Sequence, residues 1–259
     1  MRRQSSATRT SSHCGYFLAT SSLAWRSPGR KRSPLRLRSL GGSRSTEARS
    51  RVWTPALTHA SISENGFVFT LWRYYEQSAI NPSAAAYATA LERLHVGMAQ
   101  LDVVAPHFGD RVVEAQRLVE SHERTPRLED ADRELLSRTL ELRPQVRKRR
   151  SPDQLLHGEP HPGNVLTTTG GLLFVDLETC CRGPVEFDLA HVPEAVGASY
   201  VGADGELLQE CRRLVLAMVA AWRWDAADQF PNGEKAGCAL LSALRAGPPW
   251  PTLDAVMKD

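Results

Sequence analysis

Between Leu155 and Glu178 the chain carries a carboxylate at Glu159, an amide at Asn164 and a second carboxylate at Asp176. Those three groups suit phosphoryl transfer. That reaction leaves a protein little covalent work: it needs a residue to orient the attacking hydroxyl, and oxygen ligands for a metal that bridges the phosphates. Glu159 fits the first task. Magnesium binds through one or two carboxylates with other oxygens and retained waters rather than in a closed protein cage, so Asn164 and Asp176 fit the second.

Positioning these groups calls for a tight turn. Residues 165–168 and 172–175 are apolar or β-branched runs around Gly170-Gly171. The pattern predicts a hairpin that brings both metal ligands to one end, with Glu159 on the loop feeding it. Zinc chemistry fits the same residues poorly. A zinc deaminase needs a Cys-x-x-Cys pair after its His-x-Glu, whereas Cys180 and Cys181 are adjacent. A zinc-protease helix is ruled out by Gly158, Pro160, Pro162 and Gly163.

Three stretches in order, His157-Gly-Glu-Pro-His-Pro-Gly-Asn164, Val175-Asp-Leu-Glu178 and Gly183-Pro-Val-Glu-Phe-Asp-Leu-Ala190, carry a wider likeness. Together they resemble the aminoglycoside phosphotransferase and choline kinase-like family of small-molecule kinases. The resemblance implies an α+β, protein kinase-like fold with a mainly helical C-terminal lobe. It makes Glu159 the catalytic base, His157 and His161 loop-shaping residues, Asn164 and Asp176 the Mg2+ ligands, and Asp188 a brace for the catalytic loop. ATP would be the phosphoryl donor and a small-molecule hydroxyl the acceptor. One departure stands at the centre: the family's pattern has Asp where this chain has Glu159. A further methylene displaces the carboxylate by roughly an ångström against a hydrogen-bond window of about 2.6–3.2 Å, so a loop adapted to Glu is expected.

Composition bounds the rest. Apolar side chains make up 42% of the 259 residues and charged ones 24%, which fits one medium domain or two small lobes. The net charge of +3 conceals a division, because residues 1–46 hold ten Lys or Arg and no acid. Removing those ten from 32 bases leaves 22 against 29 acids, a body of about −7 that argues against nucleic acid as partner. No stretch reads as a membrane span. Five cysteines at unrelated spacings suggest a reducing, cytoplasmic setting rather than a disulfide framework. The sequence sets neither the acceptor nor the oligomeric state.

Three regions are expected. Residues 1–50, basic and rich in Arg and Ser, are read as disordered and as foreign to the folded domain rather than as a transit peptide. Residues 51–77 are read as the remnant of a small nucleotide-binding lobe with its hinge. Asn65-Gly66 marks a hairpin there, and the resemblance puts nucleotide contacts at Thr70, Leu71 and Trp72. Residues 78–259 form the helical lobe. Ala84 to Leu101 repeats apolar residues at three and four, Asp110 can cap a helix through about Ser121, and residues 128–147 form another. Residues 186–196 are expected to make one helix carrying Asp188, followed by an apolar helix at Leu207–Trp222 and a last one around Gly237 to Leu244. His95 is read as a core histidine, and Asp225, Asp228 and Glu234 as a solvated acidic loop.

A family kinase also holds its phosphates with a Gly-containing loop and a strand lysine. Lys31 is the one lysine before Lys148, and it lies in no strand pattern. The small lobe is therefore expected to be truncated. Two functions follow: a phosphotransferase acting on a small-molecule hydroxyl, or a non-catalytic relative that keeps the metal-binding loop without binding nucleotide.

Overall fold

The computed structural model describes strand residues 16–18 and 60–64, and residues 67–141 and 153–257, with side chains from Tyr74 onward. The chain divides into two compact units, Met1–Glu76 and Gln77–Asp259.

In the first unit, β1 (Tyr16–Leu18), β2 (Ala60–Glu64) and β3 (Phe67–Arg73) form an antiparallel sheet in the order β1-β3-β2. The register pairs Glu64 with Phe67, as the Asn65-Gly66 signal requires, although that dipeptide lies outside the described residues. β1 falls inside the stretch expected to lack order. Its Tyr-Phe-Leu run is β-prone and completes the free edge of β3, pairing Tyr16 with Arg73 and Leu18 with Leu71. The rest of residues 1–50 lies outside the described residues.

The second unit is mainly helical. α1 (Ala84–Ala99) starts where Ser83 accepts the Ala86 amide, and it buries Tyr87, Leu91, Leu94, His95 and Met98 along one face. It ends before Leu101, which is 42% exposed. α2 (Phe108–Glu120) begins three residues earlier than Asp110 would place it. His107 is the cap, and Asp110 instead closes a capping box by accepting the His107 amide. α3 (Asp130–Leu140) occupies the described part of the helix expected over 128–147, and Arg147 to Arg150 lie outside the described residues.

Short antiparallel pairs follow. β4 (Gln154–Leu156) pairs with β7 (Cys181–Gly183), and β5 (Val165–Thr168) pairs with β6 (Gly171–Phe174) as the expected hairpin. The single helix expected over 186–196 is two: α4 (Val185–Leu189) and α5 (Glu194–Ser199). Pro193, which lacks an N–H, sits at the start of the second and breaks the run.

α6 (Gly205–Arg223), capped by Asp204, is the core helix, with Leu214, Leu216 and Met218 almost fully buried. Each such side chain contributes roughly 1.5–3 kcal/mol by leaving water. α2, α3, α4 and α7 (Gly233–Ala246) pack on it, and α8 (Leu253–Val256) closes the unit. Phe108 and Phe187, with centroids 4.9 Å apart, join α2 to α4 beneath the loop that bears the motif. No helix among the described residues is long and apolar enough to cross a membrane.

Candidate active site

The loop from His157 to Asn164 connects β4 to β5, and a buried carboxylate sets its shape. Asp188, on α4, accepts the His157 amide at 3.0 Å and the Gly158 amide at 2.8 Å. Its Oδ2 also meets His95 Nε2 from α1 at 2.9 Å, and His95 Nδ1 meets the Tyr200 hydroxyl at 2.8 Å. Burial works to raise the Asp188 pKa, but the hydrogen bond and charge of His95, with His157 and the Gly158 amide, outweigh it and hold it below the usual range. The core histidine of the sequence reading is thus a partner of the brace.

Inside the loop, the fully buried His157 is held by two hydrogen bonds. Its Nε2 donates to the Val175 carbonyl at 2.9 Å, while Nδ1 accepts the Glu159 amide at 3.3 Å. One donor and one acceptor describe a neutral ring, in keeping with burial that lowers its pKa. Gly158 adopts φ +92°, and a Cβ there would sit 2.1 Å from the Thr179 carbonyl oxygen, so only glycine fits. The Tyr87 hydroxyl donates to the Pro160 carbonyl at 2.6 Å. His161 caps the 3₁₀ turn Pro162–Asn164 by accepting the Gly163 amide at 3.1 Å.

That turn delivers Asn164 beside Glu159. Asn164 Nδ2 donates to the Glu159 carbonyl at 2.9 Å, which leaves Oδ1 without a partner among the described residues. The Asn164 carbonyl accepts the Val175 amide at 2.9 Å, so Asp176 follows directly on the residue that ties the two strands together. Asp176 is exposed, takes the left-handed conformation at φ 63° and has no ion-pair or hydrogen-bond partner among the described residues. Such a backbone is uncommon for a non-glycine residue and often marks a functional position. No group of three or more His, Cys, Asp or Glu suited to a metal exists among the described residues. An amide oxygen and a carboxylate fit an ion that takes two protein oxygens and fills its shell from phosphates and water.

Glu159 has a partner that the sequence did not reveal. Arg111 on α2 binds its Oε1 through Nη2 and donates from Nη1 to the Gly158 carbonyl at 3.2 Å. The guanidinium also lies 5.2 Å from the ring centroid of Trp222 on α6. Burial would raise the Glu159 pKa, yet the charge of Arg111, then His191, the Arg111 hydrogen bond and His161 together hold it below the usual range. His191 is itself buried and driven down to about 4 chiefly by burial, with Nδ1 bonded to the Phe187 carbonyl at 2.8 Å. Arg111 stands 48 residues before Glu159 on a helix whose own pattern explains it, and a single sequence holds no mark that joins the two.

The other candidates lie on other elements. Thr70, Leu71 and Trp72 lie on β3, paired with Ser61, with Ala60 and Leu18, and with Phe17 respectively; their side chains are outside the described residues. The acids of the C-terminal segment do not form a bare acidic patch: Asp225 pairs with Arg124, Asp228 with Arg223 at 3.4 Å and Glu234 with Arg127 at 2.7 Å. Cys180 and Cys181 are free thiols; burial pushes Cys180 up to about 12 and raises Cys181 as well, which suits packing rather than reactivity.

Comparison with known proteins bears on this arrangement. No curated protein matches the sequence. Among solved structures, a choline/ethanolamine kinase family protein from Mesorhizobium loti is similar over 78% of this chain and 79% of its own, at 14% identity and a TM-score of 0.57. The amicoumacin kinase hAmiN, in complex with AMP-PNP, Ca2+ and Ami, is similar over 74% of this chain and 70% of its own (12% identity, TM-score 0.53). APH(2")-IIia, in its GDP and kanamycin complex, is similar over 71% and 72% (18% identity, TM-score 0.51). These likenesses establish a kinase-like fold. Residues 43–207, which include every motif residue from His157 to Ala190, match the phosphotransferase enzyme family, APH, and the chain belongs to that family.

Proposed function

We propose that this protein transfers the terminal phosphoryl group of ATP to a hydroxyl of a small molecule. Glu159 receives the proton of that hydroxyl as its oxygen bonds to the γ-phosphorus, the bridging P–O bond breaks and ADP leaves with the electron pair. Asn164 Oδ1 and Asp176 would hold Mg2+, which would offset the charge of the phosphates. Asp188 keeps His157 and Gly158 in place, His157 fixes the Glu159 amide, and His161 shapes the turn that presents Asn164. The reading rests above all on one contact, the 2.9 Å hydrogen bond by which the Asn164 amide nitrogen grips the Glu159 carbonyl. It sets proposed base and proposed metal ligand side by side, with Asn164 Oδ1 left free.

The family resemblance adds nucleotide contacts at Thr70, Leu71 and Trp72 to this reading, in a small lobe of residues 51–77 that is shortened relative to the family and shares its sheet with β1 (Tyr16–Leu18), followed by a catalytic lobe of 78–259. The acidic body and free thiols support a cytoplasmic protein that uses neither nucleic acid nor membrane as a partner. ATP is the donor in this reading, and GTP belongs in the same test because the similar APH(2")-IIia structure carries GDP.

Equilibrium titration of the full chain with Mg-ATP and with Mg-GTP, with Asp176→Ala as control, tests the proposal. Binding that the variant weakens at least 10-fold is expected. A panel of amines, sugars and amino alcohols followed by 31P NMR then seeks a phosphate ester. One observation favours the second reading, a relative that keeps the loop without nucleotide affinity: Lys31 is the one lysine before Lys148. Absence of Mg-ATP and Mg-GTP binding at millimolar concentration would decide for it.

A further inference from the structure

We propose that Arg111 is a positioning residue that holds the carboxylate of Glu159 in its working orientation, so that one oxygen is held and the other faces the hydroxyl to be phosphorylated. This rests on the phosphotransferase reading of the site.

The geometry supports it from three sides. One guanidinium grips both the loop backbone, at the Gly158 carbonyl, and the Glu159 side chain, at Oε1. The two bonds leave Oε2 without a partner among the described residues, the oxygen that would receive a proton. The guanidinium is held in turn: it packs over the Trp222 ring at 5.2 Å, and its side chain is only 15% exposed. Its helix is anchored as well. The Pro106 carbonyl just before α2 accepts the Arg182 amide at 2.7 Å, and Phe108 packs on Phe187. Arg111 therefore acts from a fixed element, which a flexible surface arginine does not.

Length gives the reason for such a clamp. Glu159 has one more rotatable bond than the Asp of the family's pattern, so its carboxylate can sweep a larger volume. A displacement of about 1 Å can cost on the order of 100-fold in rate. A fork anchored at the neighbouring carbonyl removes that freedom in one direction, and with it the disadvantage of the longer acid. Arginine suits the task because its planar donors address two oxygens at once, which lysine cannot do with the same geometry.

A purely structural ion pair between α2 and the loop would change stability and leave turnover of the folded protein alone. The test therefore reads kcat apart from KM. Since no acceptor is identified, water serves as the probe: its oxygen bonds to the γ-phosphorus, the bridging bond breaks, ADP departs with the electron pair and the proton passes through Glu159 to solvent. With wild-type protein in saturating Mg-ATP, ADP release is compared with Arg111→Met, Arg111→Lys, Glu159→Asp and the double variant of Arg111→Met with Glu159→Asp. Arg111→Met is expected to lower kcat at least 10-fold with KM for Mg-ATP within about 2-fold, within the range general-base catalysis supplies. Arg111→Lys should restore part of the rate. Loss of the clamp should cost little once the acid is shortened, so the two substitutions should be non-additive.

Unchanged kcat in folded Arg111→Met overturns the proposal, as does a loss of the same size in both backgrounds. Should Arg111→Met fail to fold, Arg111→Gln is judged by the same criteria. Wild-type protein that neither binds nor hydrolyses Mg-ATP or Mg-GTP ends the phosphotransferase reading alone. The clamp is then judged by crystals of wild-type and Arg111→Met or Arg111→Gln protein, where an unmoved Glu159 carboxylate overturns it and a displaced one upholds it.

Discussion

Glu159 carries its carboxylate one methylene further from the backbone than an Asp at the same place would, and Arg111 meets it there. On the proposed function, this contact suits the longer acid. Glu159→Asp should lower turnover, by roughly 10-fold or more, because the shorter acid lets go of Arg111 and leaves the 2.6–3.2 Å window for proton transfer. Steady-state kcat with any acceptor, water included, checks this, and a rise in kcat would count against a loop adapted to Glu. The neighbouring Gly158 gives a sharper structural test. Its φ of +92° and the Thr179 carbonyl 2.1 Å from a would-be Cβ leave Gly158→Ala no relaxed conformation. Unfolding in urea should show a loss of more than about 2 kcal/mol.

Helices and strands fix these residues by reaching the loop from opposite directions. α1 brings Tyr87 to the Pro160 carbonyl and His95 to Asp188, so one helix supports the loop at two points a little over two turns apart. Its start depends on Ser83, whose hydroxyl accepts the Ala86 amide at 3.2 Å. Ser83→Ala should cost about 1 kcal/mol in chemical denaturation with little change in nucleotide affinity, because the cap lies at the opposite end of the helix from His95. The β5-β6 hairpin works differently. It holds Asn164 and Asp176 at its open end through the Val175–Asn164 backbone bond, so the distance between the proposed metal ligands is a property of the pair of strands. A break in that ladder would spread the two ligands without touching either side chain.

Across the folded unit, buried ionisable groups make stability depend on pH in two stages. His191 is lowered from 6.5 to about 4 by burial. The unfolded chain therefore takes up a proton as pH falls below about 6.5 while the folded one refuses it until near 4. Stability falls across that window, by at most about 3 kcal/mol at roughly 1.4 kcal/mol per unit. Asp188 behaves in the second stage. Its folded pKa lies below the usual 3.8, so its contribution is present above that value and is lost as pH falls through the folded one. Urea midpoints from pH 7 to pH 3 should decline in both stages. His191→Gln should flatten part of the decline between pH 6.5 and 4, the rest belonging to His157, which burial also lowers, and Asp188→Asn should reduce the limb at lower pH, to which Glu159 also contributes, while lowering stability at neutral pH. An unchanged slope in His191→Gln would rule out its buried, neutral state.

Much of the site lay in the order of residues because its parts are close in the chain. The hairpin of 165–174, the loop before it and the helix bearing Asp188 are joined by short connections, so turn chemistry with residue type sufficed to expect the hairpin and to put Asn164 at its start, beside the loop that carries Glu159. Local signals failed where one residue outweighed a pattern. Pro193 split the helix expected over 186–196, and the His107 cap moved the start of α2 away from Asp110. What the amino-acid order could not supply is every contact made across distant segments: Arg111 with Glu159, His95 with Asp188 and Tyr200 with His95, Trp222 over the guanidinium, and the arginines that neutralise Asp225, Asp228 and Glu234. The chemical kinds of group available were written in the chain, since spacing along a backbone fixes what a turn can gather. Which of them carry charge, which are held still and which face open space depends on distance and burial between segments far apart in sequence, and only packing of the helices sets those.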